Sequence, residues 1–264
     1  AKNEFEKDQF KLYNNSVFGK TMENIRNRIS IELVCDWKRA KKLIAKPNFH
    51  SSTIYTQNLV SIHMLKKSLE FNKPIYVGMS ILDLSKTLMY DFHYDIMVPT
   101  FKELQLMYMD TDSFMYQIKT DDVFQQFGKL AQYMDTSDYP KEHPNYSTSN
   151  KKVLGKFKDE VNGSIIRKFV ALRSKMYAIG IGNQVKKRAK GVQRATLANK
   201  IGFDDYKRVL KEQCSIISDM RRIQSRDHQV STVLLRKKSL DWFDDKRVIM
   251  EDGIRTLPHG HYSL

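Results

Sequence analysis

The chain is predicted to adopt an α+β fold, with antiparallel hairpins packed on amphipathic helices. Three observations carry that expectation. Residues 104–118 read as strand, tight turn and strand (LQLMYM, DTD, SFMYQIK), with apolar alternation on both sides. Residues 8–24 and 80–96 carry apolar side chains at helical spacing. Strand-like runs recur at 153–159, 164–171 and 174–181.

The elements follow in order. Phe10, Tyr13 and Val17, with Ile25 beyond them, form the apolar stripe expected of the first helix. RISIELV, residues 28–34, reads as a strand. Asp36 is the expected N-cap of a short basic helix, WKRAKKLIAK, which Pro47 ends. Residues 53–72 read as one or two strands. Pro74 opens IYVGM, and a long helix is expected after it, over 80–96, with Leu82, Leu88, Met89, Phe92 and Ile96 inward and Pro99 as its stop. A helix is expected over 121–134. A loop rich in Pro, Ser, Asn and Tyr, 136–150, is the linker candidate. Two short helices are expected over 193–213, with strands and polar turns after them. The texture changes near Gly191, which places a domain boundary near 190.

Of the 264 residues 41% are hydrophobic, enough to bury a sizeable core. Lys plus Arg number 45 against 30 for Asp plus Glu, a net charge of +15. Such an excess attracts polyanions, nucleic acid first and an acidic membrane surface second. No apolar run is long enough for a membrane span. Cys35 and Cys214 stand far apart in no metal-ligand spacing, so zinc is unsupported and two reduced thiols in an intracellular protein are expected. The opening AKNEFEKDQF is neither a signal peptide nor a starting methionine, and predicts a natural chain that extends upstream.

The central chemical signal is Tyr108-Met109-Asp110-Thr111-Asp112-Ser113. Two carboxylates at the tip of an apolar hairpin repel each other. Divalent cations supply a reason for them, since Mg²⁺ takes carboxylate and phosphate oxygens and two such ions can drive phosphoryl transfer. Taken alone, the same residues make an ordinary turn. A second signal is Lys11-Leu-Tyr-Asn-Asn15-Ser16-Val-Phe18-Gly19. On a helix, Lys11, Asn15 and Phe18 share a face that presents an ammonium, an amide and a ring. These suit a triphosphate and a base or sugar; the alternative is a solvated face with Phe18 in the core.

The second stretch resembles motif B of family B DNA polymerases, Lys-x-x-x-Asn-Ser-x-Tyr-Gly. Tyr108 to Ser113 resembles their motif C, Tyr-x-Asp-Thr-Asp-Ser, without a mismatch. Leu172-Arg-Ser-Lys175-Met-Tyr177 resembles the downstream Lys-x-Tyr motif, and all three stand in the family's order. The stretches NKPIYVGMSILDLSKTLMYDFHY, LGKFKDE, KFVALRSKMYAI and DDKRVIMEDG are similar to the protein-primed branch of Maverick or Polinton-type transposons and related viruses. The resemblance spans almost the whole chain.

The resemblance implies a C-terminal part of a DNA-directed DNA polymerase. Residues 1–27 would carry a fingers helix. Residues 28–190 would form the palm, with an insertion at about 28–75, and 191–264 a small α/β thumb. Asp112 would be a direct ligand of one of two Mg²⁺ ions, with Asp110 beside it as a second catalytic carboxylate. Lys11, Asn15 and Phe18 would bind the deoxynucleoside triphosphate, Phe18 replacing the family's usual Tyr. Lys175 and Tyr177 would steady the primer terminus, and Lys190 in KRAKG would lie near the DNA backbone. The implied partners are primer–template DNA and a terminal protein as primer, in a nucleus or viral replication site.

The family's motif A, Asp-x-x-Ser-Leu-Tyr-Pro, should lie upstream of motif B and does not occur here; Asp83-Leu-Ser-Lys is on the wrong side. The exonuclease acids are missing as well. Two other readings stay open. One is a non-catalytic, transposon-derived DNA-binding remnant. The other is a reverse transcriptase, whose two acids would be adjacent where Thr111 separates them here. His259 and His261 in PHGHY read as turn residues, and Lys38 to Lys46 as a solvated helix face. Arg221, Arg222, Arg226, Arg236, Lys237 and Lys238 are expected to include phosphate contacts.

Overall fold

The first helix starts where a side chain can satisfy an orphan N–H. Asn3 Oδ1 accepts from the Glu6 N–H at 2.8 Å, and α1 runs Glu4–Thr21. A computed structural model gives this and every other feature of the chain and describes residues 2–226 and 229–264. Two compact units are present, Ala1–Leu88 and Met89–Leu264.

In the first unit α1 buries no residue. Phe10, Tyr13 and Val17, expected to form its inward stripe, are all exposed, and only Ile25, in the 3₁₀ turn Ile25–Asn27, is buried. Apolar residues at helical spacing need an opposing surface to become a core face, and these three have none in this unit that buries them. After the helix, Glu23 accepts from Arg28 Nε at 2.8 Å and Nη2 at 2.6 Å. Those bonds first, then the one from Lys20, pull its carboxyl down to about 2.

β1 (Ile29–Val34) leads into Asp36, whose carboxylate accepts from the N–H groups of Lys38 and Arg39 and so caps α2 (Trp37–Ile44). β2 (Phe49–Thr56) and β3 (Leu59–Leu65) complete an antiparallel sheet of order β1-β3-β2. The β2–β3 hairpin thus starts earlier than expected and ends before residue 66. Val34, Ala40, Leu43, Ile62 and Met64 form the core between α2 and the sheet. The four cations of α2 lie on its outer side, as its spacing predicts.

α3 (Ile75–Tyr90) follows Pro74. A Cβ on Gly78 would lie 2.2 Å from Met22 Cγ, so any larger residue there would have to push the Met22 side chain aside. Leu82 and Leu88, expected inward, are 38% and 43% exposed, whereas Met89 and Phe92 are buried. The helix does not continue regularly to Ile96. It widens into a π-helical turn at Asp91–Met97 and ends with α4 (Val98–Thr100), so Pro99 lies inside the last turn instead of stopping the helix before it. Pro99 has no N–H to give to the ladder, and the helix closes one step later, where the Phe101 N–H donates to the Met97 carbonyl at 3.1 Å.

In the second unit β4 (Leu104–Met109) and β5 (Phe114–Ile118) form the expected hairpin. Asp122 caps α5 (Val123–Lys129), which is shorter than expected; a 3₁₀ turn, Ala131–Tyr133, follows. β6 (Met134–Asp135) pairs in parallel with β7 (Phe157–Lys158). The connection between them is not a linker. Tyr139 is buried, and Asn150 Nδ2 donates to the carbonyls of Ala131 and Met134. Phe92, Met97, Phe101, Leu130 and Met134 make the core beneath these elements.

β8 (Ile166–Arg173), β9 (Met176–Ile181) and β10 (Gln184–Ala189) form a meander whose last strand the sequence reading missed. α6 (Arg194–Lys200) and α7 (Phe203–Glu212) come next, then a long ribbon of β11 (Ser215–Arg226) and β12 (Gln229–Asp241). β13 (Arg247–Ile249) and β14 (Thr256–Pro258) close the chain. Leu172, Met176 and Ala178 share one core with Tyr206, Val209 and Leu240, so residues on either side of 190 pack together. The fold is mixed α+β with predominantly antiparallel sheets. Among the described residues no helix is long and apolar enough to cross a membrane.

Tyr206 is fully buried, and its hydroxyl donates to the Arg188 carbonyl at 2.8 Å. Tyr206→Phe leaves that carbonyl without its partner and should cost about 1–3 kcal/mol in urea unfolding; an unchanged midpoint would place the bond's contribution elsewhere.

Candidate functional site

Two hairpin tips meet in the second unit. The first carries Asp110 and Asp112. Asp110 N–H donates to the Ser113 carbonyl at 3.1 Å, and Asp112 N–H donates to the Asp110 carbonyl at 2.6 Å. Thr111 between them holds φ at 59°, the left-handed conformation that lets so short a turn close. The second tip joins β8 to β9 through Ser174 and Lys175, and Lys175 likewise has φ 59°.

Tyr108 connects the tips. Its hydroxyl accepts from the Lys175 backbone N–H at 2.7 Å, and its ring lies 5.0 Å from Tyr177 and 6.4 Å from Phe169. Lys175 Nζ then donates to both oxygens of Asp110, at 2.9 and 2.8 Å. That contact raises the lysine's pKa above its ordinary value and keeps it charged. Lys190 joins the group through its backbone, donating to the Lys175 carbonyl at 3.0 Å, with its side chain exposed. Asp110, Lys175, Tyr177 and Lys190 are therefore neighbours, although the sequence separates them widely.

A bulge gives Tyr108 this direction. Leu106 pairs with Tyr116, but Tyr108 pairs with Met115, so Met107 is an extra residue in β4. Paired residues share a face, so Tyr108 leaves the face of Leu106 and Tyr116 for that of Met115. The face it leaves packs on the π-helical turn. Phe114 stacks on Phe92 at 6.4 Å, and Tyr116 stacks on His93 at 5.7 Å and an interplanar angle of 6°. The Tyr116 hydroxyl and His93 Nδ1 are 2.9 Å apart. Burial pushes the tyrosine's pKa up and the histidine's down, so the bond joins a protonated phenol to a neutral ring, whose tautomer sets which of the two donates.

The remaining residues distribute differently. Lys11 and Asn15 stand exposed on α1 in the first unit, with Phe18 half-buried. On the β11–β12 ribbon Arg221 and Arg236 are exposed, whereas Lys237 Nζ donates to the Gly191 carbonyl and Lys238 pairs with Asp241. The Asp112 carboxylate has no hydrogen bond or ion pair among the described residues. Those residues also contain no group of three or more His, Cys, Asp or Glu side chains that could hold a metal ion, His259 and His261 included. Both cysteines are free.

No family model, curated protein or solved structure matches the chain.

Chemically, the tips offer hard oxygen ligands, one free and one neutralised, beside an ammonium and a phenol. The pair suits a hard divalent cation completed by phosphate oxygens and falls short of the anionic charge that two ions need. The sequence reading missed His93 and Tyr116. The only signal for them was a histidine on the inner side of a helix opposite an aromatic strand.

The depressed His93 pKa has a direct consequence. The unfolded chain binds that proton more readily than the folded one, so the associated stability is present above about pH 6.5 and declines as pH falls through 6.5 toward the folded value. The thermal midpoint should therefore drop between pH 7 and 5. His93→Phe should flatten that slope, and an equally steep slope in the variant would assign it to other groups.

Proposed function

We propose that this chain is the palm and thumb portion of a protein-primed family B DNA polymerase, with the motif B helix at its start. The reaction would be attack of a primer 3′-hydroxyl on the α-phosphate of a deoxynucleoside triphosphate, with release of pyrophosphate. One observation carries the reading. Asp110 and Lys175, drawn from two separate motifs far apart in sequence, meet at 2.8 Å, with Tyr108 and Tyr177 in ring contact beside them.

Asp112 and Asp110 would hold Mg²⁺, which supplies positive charge against the phosphate oxygens of nucleotide and primer. The residues of the chain would do the positioning. Lys175, at the tip next to the carboxylates, orients the primer end, and Tyr177 supports it. Lys190 meets the DNA backbone. Lys11 neutralises the triphosphate, Asn15 donates to it, and Phe18 lies against its base or sugar. The ribbon face of Arg221 and Arg236 grips the duplex through phosphates. Phosphoryl transfer relies chiefly on such placement and charge.

A second reading, a DNA-binding remnant without catalysis, is favoured by a specific observation. Asp110 is already paired with Lys175, which neutralises one of the two carboxylates a metal ion would need. The two readings agree on DNA binding and part over synthesis.

Primer–template binding should show little sequence preference. With about 6–10 phosphates neutralised, affinity should fall by ~10³–10⁵ between 50 and 200 mM salt. Fluorescence anisotropy at stepped salt measures this, and a flat response would remove the phosphate-gripping surface.

The chain alone should incorporate no nucleotide, whereas joining it to a polymerase half that carries motif A should give magnesium-dependent synthesis. In that longer protein Asp112→Asn should abolish primer extension and leave primer–template affinity within about twofold, because it removes a metal ligand and no phosphate contact. Synthesis by the 264 residues alone would discard the requirement for motif A. Full extension by the Asp112→Asn protein would discard motif C, and absent synthesis in the joined protein would favour the remnant.

A further inference from the structure

A β-hairpin whose tip must aim two carboxylates has a particular weakness: a one-residue slip sends every side chain to the opposite face. β4 already contains such a shift, and Tyr108 depends on it. Were Met107 paired in regular alternation instead of bulged out, Tyr108 would share the face of Leu106 and Tyr116 and could not reach the β8–β9 tip. The bulge therefore needs a reason to stay between Leu106 and Tyr108.

That reason lies on the opposite face. Tyr116 is the β5 partner of Leu106, the last pair before the shift, and its hydroxyl meets His93 Nδ1 at 2.9 Å. Its ring is parallel to the imidazole at 5.7 Å, and Phe114, two residues earlier on the same face, stacks on Phe92. His93 stands in the π-helical turn Asp91–Met97. Such a turn inserts one residue into a helix and re-aims the side chains around it, and turns of this kind occur often at functional sites. Two local irregularities, one in the helix and one in the strand, are thus joined by one hydrogen bond.

We propose that His93 and Tyr116 are positioning residues for the carboxylate pair, pinning β5 so that the β4 bulge stays where Tyr108 is sent to Lys175. The linkage runs from His93 Nδ1 to the Tyr116 hydroxyl, through the Leu106–Tyr116 pair to the bulge, and from the Tyr108 hydroxyl to the Lys175 N–H. It ends at Lys175 Nζ on Asp110. This assignment rests on the reading of Asp110 and Asp112 as the metal-facing pair, but the linkage can be measured without any enzymatic activity.

Hydrogen exchange at the Lys175 amide reports the far end of the linkage, because that N–H is bonded to Tyr108. The full chain and the variants Tyr116→Phe, His93→Phe and His93→Asn are compared, with Tyr108→Phe as the control that removes the acceptor itself. Ile179, in the middle strand of the meander, reports global opening. Tyr116→Phe and His93→Phe keep the stacked rings and lose the bond; exchange at Lys175 should accelerate at least about tenfold in both, with Ile179 unchanged. His93→Asn places an amide oxygen near the position of Nδ1 and should restore most of the protection. Unchanged exchange at Lys175 in Tyr116→Phe would overturn the proposal. Equal acceleration at Lys175 and Ile179 would overturn it too, by reducing the pair to a general stabiliser. Neither result depends on whether the joined polymerase synthesises DNA, so failure here and failure of the polymerase reading are distinguishable.

Discussion

The contact between the tips of β4–β5 and β8–β9 is the constraint on which the second unit's candidate site depends. No continuous sheet spans the unit; its hairpins and meander are separate, and β6 pairs only with β7. The two tips must be brought together by side chains. An ion pair as exposed as Lys175 with Asp110 is screened by water and salt and holds little by itself. The packing of Tyr108 on Tyr177 and Phe169 is better suited to set the distance, since favourable aromatic pairs contribute about 0.5–1.5 kcal/mol beyond burial. On this division of labour the rings fix position and the lysine fixes charge.

Both tips carry a non-glycine residue in the left-handed region, Thr111 and Lys175. Such conformations persist only where surrounding bonds over-determine them, and they gather at functional positions. Here the surrounding bonds are visible. Asp110 accepts from Asp112 and Ser113 around Thr111, while Lys175 is fixed on its N–H side by Tyr108 and on its carbonyl side by Lys190. Glycine would relax both turns and let each wander, which a group that must face another group to within tenths of an ångström cannot allow.

Sequence reading succeeded where a local rule governs. The alternation around Asp110 and Asp112 specified a hairpin, the carboxylate of Asp36 specified a helix start, and both helices of 193–213 were legible. It failed where the deciding partner is remote or the period breaks. Phe10 and Val17 have helical spacing but no surface to bury against in their unit, and Leu82 and Leu88 likewise stay exposed. The π-helical turn is invisible to a 3.6-residue period because it departs from that period for only two turns. The loop over 136–150 reads as a linker by composition, yet Asn150 and Tyr139 anchor it through contacts with residues many positions away. For the site, the carboxylates and Lys175 were named from motifs, but nothing local to either motif states that they touch.

The bulge at Met107 bears on how this segment can change over generations. Surface loops ordinarily tolerate the gain or loss of a residue. Loss of Met107 would restore regular pairing with Tyr108 still opposite Met115, whereas a residue gained or lost between Tyr108 and Ser113 would displace the carboxylates from Lys175. Point substitutions at exposed Met107 leave the count intact. Lineages descending from this gene should therefore vary freely in the identity of that residue and stay fixed in length from Tyr108 to Ser113, so that the spacing of the tip outlives the letters.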